Sequence, residues 1–316
     1  MFRQDEIRIR RIKYDVVVIG GANTDYLVRG QRLPKPGETM DGDHFLTAGG
    51  GKGANQAVAA ARLGARVAFI ACLGRDTRGD ELEALLRAER IDTRHVYRDP
   101  KAPTGVALIM VDKSGEKQIF CAPGANHKLT ASRVRAAASV IRQARVLLMQ
   151  FEVPMPTVLA AARIAHAAGV RIVLDPAPPA KAPRALLKLV DVIRPNSSEA
   201  KALTGIHVKD LNSARRAARN LLAHGISAVP IEAGEQDDLI LWRGGERLLK
   251  RLKVKTVDAT GAGDAFAAGF SVALAEGRSY AEAGVFANAA AALATTKFGA
   301  MPAMPYRRQV LSLARY

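Results

Sequence analysis

Residues 258–266 read Asp258-Ala259-Thr260-Gly261-Ala262-Gly263-Asp264-Ala265-Phe266. Gly261 and Gly263 permit close backbone approach and dihedrals that side chains resist. They open an apolar stretch, Asp264–Ala275, that reads as a helix, and the free amides and dipole at such a helix start favour an anion. A carboxylate, Asp264, falls at the same place. Amides alone suit a bound phosphate. Amides with an aspartate suit phosphoryl transfer, in which a base takes a hydroxyl proton while donors hold the transferring group. The same residues also describe a plain Gly-rich turn with an N-capping Asp, and the wider sequence has to separate the two.

Outward from this stretch, short Val/Ile-rich runs alternate with Ala/Leu-rich helical patterns. Strands are expected over Asp15–Gly20, Val67–Leu73, Val146–Gln150, Arg171–Leu174, Val190–Arg194 and Ala228–Ile231. Helices are expected over Ala54–Leu63, Gly79–Glu89, Ala131–Ala144, Pro156–Ala168 and Ser213–His224, several ending near Gly64, Gly169 or Gly225, where a left-handed cap forms easily. Tyr280–Thr296 and Tyr306–Ala314 continue the helical C-terminal third. This alternation implies βαβ units: an α/β fold with a mostly parallel sheet covered on both faces. Two stretches break the pattern, 30–47 and 96–122. The second holds Gly105–Val111 and Lys117–Cys121 around the turn Asp112-Lys113-Ser114-Gly115 and reads as a hairpin. Strands without a helix between them predict a small β-lid over the carboxyl edge of the main sheet, where open α/β folds bind ligands. The 316 residues are thus expected to form one domain with the lid segments inserted in it.

Three further stretches carry candidate chemistry. Gly49-Gly50-Gly51-Lys52-Gly53-Ala54-Asn55-Gln56 opens an Ala-rich helix. It is not a P-loop, because no Ser/Thr follows the Lys and the glycine spacing is wrong. It suits a polyol, with amides from Gly51 and Lys52 and the two-way hydrogen bonding of Asn55; a tight turn before a helix is the bland reading. Gly20-Gly21-Ala22-Asn23-Thr24-Asp25 places Asn23 and Asp25 after the first strand, at the carboxyl end where sugar hydroxyls could be held, although Asn and Asp are also common turn formers. In Arg194-Pro195-Asn196-Ser197-Ser198-Glu199, an Asn and a Glu three apart at a helix start fit a hydrated Mg²⁺ and equally a capping box.

Composition bounds the partners. With 48% hydrophobic and 24% charged residues the chain is ordinary globular protein. No apolar run reaches the length of a membrane span, and the charged leader Met1–Tyr14 has no signal-peptide core. Cys72 and Cys121 sit in apolar runs and read as small buried hydrophobes in a reducing compartment, the cytoplasm. The net charge of +17 raises nucleic-acid binding, but aromatics are only 5% of the chain, so the densest basic clusters, Arg8–Lys13 and Arg243–Lys255, lack stacking partners. The six histidines are scattered and no metal set is assigned to them.

Taken together, the stretches resemble the ribokinase-like (PfkB) family of carbohydrate kinases, in order and separation, from about Tyr14 to the last helix. Gly51-Lys52-Gly53-Ala54-Asn55-Gln56-Ala57 is similar to its N-terminal signature and Asp258–Phe266 to its C-terminal one. Pro36-Gly37-Glu38-Thr39, Thr104–Ile109, Gly124-Ala125-Asn126 and Met149-Gln150-Phe151-Glu152 also match. The resemblance implies a Rossmann-type three-layer sandwich with a β-lid, and a kinase that moves the γ-phosphate of ATP to a sugar hydroxymethyl group, ribose foremost, as a homodimer in which two lids pack together. It implies Asp264 as base and Gly261, Ala262 and Gly263 as the anion hole. It implies Asn23, Asp25, Gly50, Gly51, Lys52, Asn55 and Glu152 around the sugar. For the nucleotide and Mg²⁺ it implies Asn196, Glu199, Glu232, Gly234, Gly263 and Asn288, with Glu199 toward the Mg²⁺. A monovalent-cation site, K⁺ in the family, maps to Asp258, Thr260, Ala294, Lys297, Gly299 and Ala303, mostly through carbonyls, with Ala303 where a Ser is frequent.

One loop departs from the family. After Ala228–Ile231 a Thr and glycines are usual; here stands Glu232-Ala233-Gly234-Glu235-Gln236-Asp237-Asp238, and only Gly234 fits. Like charges about 4 Å apart cost roughly 1 kcal/mol in water and about 4 at a protein surface, so four carboxylates work against a bound polyanion unless Lys, Arg or Mg²⁺ offset them. Three rivals follow: a kinase for another sugar or nucleoside, a sugar-binding regulator that has lost transfer, and, from charge alone, a nucleic-acid binder.

Overall fold

The computed structural model describes residues 12–234 and 237–314. Residues 1–11 of the leader, with most of the basic cluster Arg8–Lys13, and Glu235 and Gln236 of the acidic loop lie outside them.

The chain runs β1 (Tyr14–Ile19), β2 (Asn23–Arg29), β3 (His44–Gly50), α1 (Lys52–Arg62), β4 (Val67–Gly74), α2 (Thr77–Ala88), β5 (Asp92–Asp99), β6 (Gly105–Val111) and β7 (Lys117–Ala122). After a 3-10 turn come α3 (Ala131–Ala136), α4 (Ala138–Arg142), β8 (Ala144–Met149), α5 (Met155–Ala167), β9 (Arg171–Leu174), α6 (Arg184–Leu187), β10 (Val192–Ile193), α7 (Ser197–Thr204), α8 (Leu211–Leu222) and β11 (Ala228–Ile231). The hairpin β12 (Asp238–Trp242) and β13 (Gly245–Leu249) precedes α9 (Ala262–Ala275), α10 (Tyr280–Ala294), α11 (Ala300–Ala303) and α12 (Arg307–Leu313).

The strands form two sheets. Nine make the large one, in the order β13-β12-β11-β10-β9-β8-β1-β4-β5. Its strands from β11 to β5 are parallel, and the hairpin β12–β13 extends it antiparallel. Strand β1 shows why the sheet lies between two helical layers. Val16 and Val18 enter one core with residues of α1, α9 and α10, whereas Val17 and Ile19 enter a second with residues of α5 and α8. Successive side chains alternate faces, so a strand apolar at every position is buried on both, the three-layer arrangement expected.

The small sheet has the order β3-β2-β6-β7. Four expectations change. The segment 96–99 belongs to β5 and pairs with β4 in the large sheet; its mixed polarity hid a parallel edge strand. Asn23 and Asp25 do not cap the first strand. The chain leaves β1 through Gly20-Gly21-Ala22 and starts β2 of the small sheet at Asn23, paired with Gly50 of β3 and Gly105 of β6. The helix expected over 131–144 breaks at Ala137, whose amide is shared between the carbonyls of Arg133 and Val134 at 3.2 and 3.1 Å. Cys72 is buried as expected, but Cys121 is exposed, on an edge strand, β7, that is open along nearly its whole length.

Candidate active site

Asp264 lies in the first turn of α9, 5% exposed, behind the N-cap Gly261, which has φ 84°. No side chain caps this helix, so its first-turn amides are the orphan donors of a helix start. The carboxylate is held by two residues of α1: Asn55 Nδ2 donates to Oδ2 at 2.9 Å and Gln56 Nε2 to Oδ1 at 3.1 Å. Gln56 Nε2 also donates to Asp175 Oδ2 at 2.7 Å, and Gln150 Nε2 donates to Gln56 Oε1 at 2.5 Å. Gln56 and Gln150 have no exposed surface, and Asp175 has 2%. This buried network ties the base to the ends of β8 and β9. Gln56 and Gln150 stand inside stretches singled out in the sequence, and Asp175 ends a strand, but nothing in their spacing shows that they meet.

Asp264 opens on a cavity of about 360 Å³ between the large sheet's carboxyl edge and the small sheet. Asn23, Asp25, Gly51, Lys52, Asn55, Glu152, Asn196, Glu199, Glu232, Thr260, Gly261 and Gly263 all line it. Gly50 stands beside it for steric reasons: a Cβ there would overlap the Asp25 carboxylate. Ala262 sits between the two lining glycines in the first turn of α9 without lining the cavity itself.

One end of the cavity is rich in fixed polar groups. Lys52 N donates to Glu152 Oε2 at 2.8 Å. Asn126 Nδ2 donates to Asn23 Oδ1 at 2.8 Å, and Asn126 Oδ1 in turn accepts from Ala22 N at 2.9 Å, fixing the start of β2. Asp25 Oδ1 and Asn55 Oδ1 are buried with no hydrogen-bond partner. Buried acceptors are normally satisfied, so these two are placed for hydroxyl donors of a ligand. Burial, with the nearby charges of Glu152 and Asp264, raises the Asp25 carboxyl to about 7. Burial also raises Glu152 to about 7, against the pull of Lys52. The charge of Lys52 is held by Asp264, Asp175, Glu152 and Glu199 more strongly than burial opposes it, and its pKa rises.

The other end is built on α7. Asn196 caps that helix: its Oδ1 accepts from Glu199 N at 2.9 Å, and the Glu199 carboxylate accepts from Asn196 N and Nδ2 at 2.8 and 2.9 Å. The capping box is therefore formed, and the same two residues face the cavity. Arg194, 8% exposed, pairs with Glu232 at 2.6 Å and lies 5.1 Å over the ring of Phe266. The acidic loop is thus partly neutralised by its own surroundings. Glu232 meets Arg194, Asp237 Oδ1 accepts from Arg251 N at 3.0 Å, and Asp238 is raised to about 6, chiefly by burial. Gly234 does not line the cavity; its carbonyl accepts from Arg251 Nη2 at 2.6 Å.

Asn288 also lies apart, donating to the carbonyl of Lys250 at 2.8 Å beside a second cavity of about 210 Å³ lined by Leu248, Val285 and Leu313. Asp258 is buried beneath the glycine turn. Its Oδ1 accepts from Thr260 N at 2.8 Å and Thr260 Oγ1 at 2.6 Å, and its Oδ2 accepts from Gly299 N at 3.0 Å. The amides of Val257 and Asp258 bond to the carbonyl of Thr295, next to Ala294. Lys297 lies between Thr295 and Gly299, and Ala303 is buried in α11, so the six cation candidates share one region, and of them only Thr260 lines the cavity.

Among the described residues, six carboxylates line the cavity, Asp25, Glu152, Asp175, Glu199, Glu232 and Asp264, against three cations, Lys52, Lys117 and Arg194. No group of three or more His, Cys, Asp or Glu among these residues is arranged to bind a metal by protein ligands alone. No described helix is long and apolar enough to cross a membrane.

Residues 13–307 match the model of the pfkB family of carbohydrate kinases. The ribokinase of Haemophilus influenzae is 43% identical over 301 residues, which cover 95% of this chain and 98% of that protein. The mouse ribokinase is 37% identical, covering 93% of each chain. A solved structure of Arabidopsis thaliana ribokinase complexed with ribose and ATP superposes with a TM-score of 0.87 at 32% identity, covering 96% of this chain and all of that one. By the span of the family match and the depth of these identities, the chain belongs to the pfkB family of carbohydrate kinases.

Proposed function

We propose that the chain transfers the γ-phosphate of ATP to the 5-hydroxyl of D-ribose. The observation that carries this reading is the position of Asp264: its carboxylate is fixed by Asn55 and Gln56, and it stands in the first turn of an uncapped helix on the wall of a polar cavity. Asn23, Asp25, Asn55, Glu152 and the backbone of Gly51 and Lys52 would hold the sugar. The unpartnered Oδ1 atoms of Asp25 and Asn55 supply acceptors for two hydroxyl donors. The amides around Gly261–Gly263 would hold the transferring group while Asp264 takes the hydroxyl proton.

The excess of carboxylate over cation in the cavity fits a hydrated Mg²⁺ entering with the nucleotide, with Glu199 and Asn196 toward its waters. Bound there, the ion would neutralise phosphate charge. Asp258 has accepted three hydrogen bonds, so a carboxylate's roughly four lone-pair sites leave about one free. A K⁺ in this region would therefore rest mainly on carbonyls of Ala294, Lys297, Gly299 and Ala303, and its charge would steady the glycine turn.

The small sheet would act as a lid that keeps the sugar dry during transfer. Its outer face exposes Phe120 (83%), Phe45 (60%), Leu108 (55%) and Val28. A row of this size is unusual on a free surface and favours a homodimer joined lid to lid. The free cysteines Cys72 and Cys121 and the need for ATP favour the cytoplasm.

The test is an ADP-release assay with ATP, Mg²⁺ and K⁺, offering D-ribose, 2-deoxy-D-ribose, other pentoses and nucleosides in turn, with sugar omitted as control. Turnover highest on D-ribose supports the reading. Turnover highest on another acceptor reassigns the substrate, and ribose binding without turnover favours a regulator.

A further inference from the structure

Lys117 is the first residue of β7, paired with Val111 at the rim of the small sheet. Its ammonium reaches across to the glycine turn of the large domain, where Nζ donates to Thr260 Oγ1 at 3.1 Å. It lines the same cavity as Lys52, Gly261, Gly263 and Asp264. Among the described residues no carboxylate lies within 4.0 Å of it, although most of the cavity's charges are carboxylates. An ammonium has three donors, and one hydroxyl acceptor uses only one. A half-buried cation without an anion is costly, so the arrangement leaves room for an anion between Lys117 and the helix start.

We propose that Lys117 is a catalytic residue carried by the lid, which donates hydrogen bonds to the transferring phosphoryl group and makes transfer depend on lid closure. The proposal rests on the kinase reading of the same cavity. In the reaction the sugar O5 forms its bond to the γ-phosphorus as Asp264 takes the O5 proton. The bond from that phosphorus to the bridging oxygen breaks, and its electron pair leaves with ADP. Negative charge on the three non-bridging oxygens is then flanked by the amides of α9 on one side and the Lys117 ammonium on the other; no proton moves to or from Lys117. The lysine also answers the charge problem of the cavity, because it adds a cation at the point where phosphate must approach. Burial lowers the Lys117 pKa, while the charges of Asp258 and Asp264 oppose the shift, in keeping with an ammonium short of a close partner.

The test compares the full chain with Lys117→Met and Lys117→Arg. Three quantities are read: ribose affinity by calorimetry, kcat and KM for ATP and ribose, and binding of MgADP with aluminium fluoride and ribose, which mimics the transferring group. The expected result is a kcat about 10²-fold lower for Lys117→Met, as for other donors to a developing charge, with ribose affinity within threefold. Loss of tight aluminium fluoride binding and partial recovery by Lys117→Arg complete the expectation. A kcat within threefold of the parent overturns the assignment while leaving the kinase reading intact. A parent protein that neither turns over nor binds the mimic overturns both. If Lys117→Met turns over normally once K⁺ is raised and the parent shows no K⁺ requirement, the ammonium stands in for the monovalent cation, and the phosphate role is overturned.

Discussion

Asn55 Nδ2 donates to Asp264 Oδ2 at 2.9 Å across 209 residues of sequence. The bond joins the starts of two helices, α1 and α9, each opened by a glycine with positive φ and neither capped by a side chain. The pairing orients the carboxylate and brings the polyol-binding turn against the anion-binding turn. Small residues make this possible: α1 and α9 meet through alanines and glycines, which let two helices and a sheet approach closely around the base.

Asp264→Asn keeps the shape but leaves one oxygen to accept from either Asn55 or Gln56, and it cannot take a proton. We expect kcat to fall about 10²- to 10⁴-fold, with ribose affinity by calorimetry within a few-fold. Near-normal turnover would remove Asp264 from the role of base.

Gly50→Ala puts a methyl group into the Asp25 carboxylate. Displacement of a sugar ligand by about 1 Å costs up to roughly 10²-fold, so KM for ribose is expected to rise at least about tenfold. Steady-state kinetics with ribose varied at saturating ATP check this, and an unchanged KM would mean that Asp25 does not touch the sugar.

Gln56→Leu removes donors from Asp264 and Asp175 together and leaves Gln150 without its acceptor. Buried polar groups left unpaired cost about 1–3 kcal/mol each. Urea unfolding should show a lower midpoint with unchanged slope, and kcat should fall more than ribose affinity.

The Asp25 and Glu152 carboxyls, ordinarily at about 3.8 and 4.5, are raised to about 7 in the folded chain, by burial first. Between about pH 4 and pH 7 the folded state therefore holds more protons than the unfolded state, so their contribution is full below pH 4 and is lost as pH rises through 7. Thermal scans of the ligand-free protein at pH 5, 6, 7 and 8 should show the midpoint falling with pH, and Asp25→Asn should flatten the fall. Equal slopes for the two proteins would contradict the raised carboxyl.

Phe120→Asp places a charge at the β7 end of the exposed apolar row of the lid, at its most exposed side chain. Sedimentation at micromolar concentration should show a dimer for the parent and a monomer for the variant. A monomeric parent would dismiss the lid-to-lid contact.

Much of the fold was legible because its signals are local. Gly64, Gly169 and Gly225 end helices with φ of 93°, 63° and 102°, and strands apolar at every position announced a sheet buried on both faces. What escaped was either polar or paired late. Strand β5, Asp92–Asp99, carries four charged residues, Asp92, Arg94, Arg98 and Asp99, as well as His95, and its place is fixed only by β4 beside it. Asn23 and Asp25 were rightly expected near the cavity but wrongly placed at the end of β1, because a turn of Gly20-Gly21-Ala22 looks the same whether the chain stays in one sheet or enters another.

The sequence by itself determined the alternating α/β order, the two glycine-opened helix starts and the residue types at them, since period, turn chemistry and capping act over a few residues. Only the tertiary structure decided which carboxylates share a buried wall, that Gln56 bridges Asp175 and Asp264, and that Lys117 of the small sheet reaches Thr260. Those facts depend on burial and on distances between groups far apart in the chain. Electrostatic and hydrogen-bond energies respond to such distances, which residue spacing along a chain does not encode.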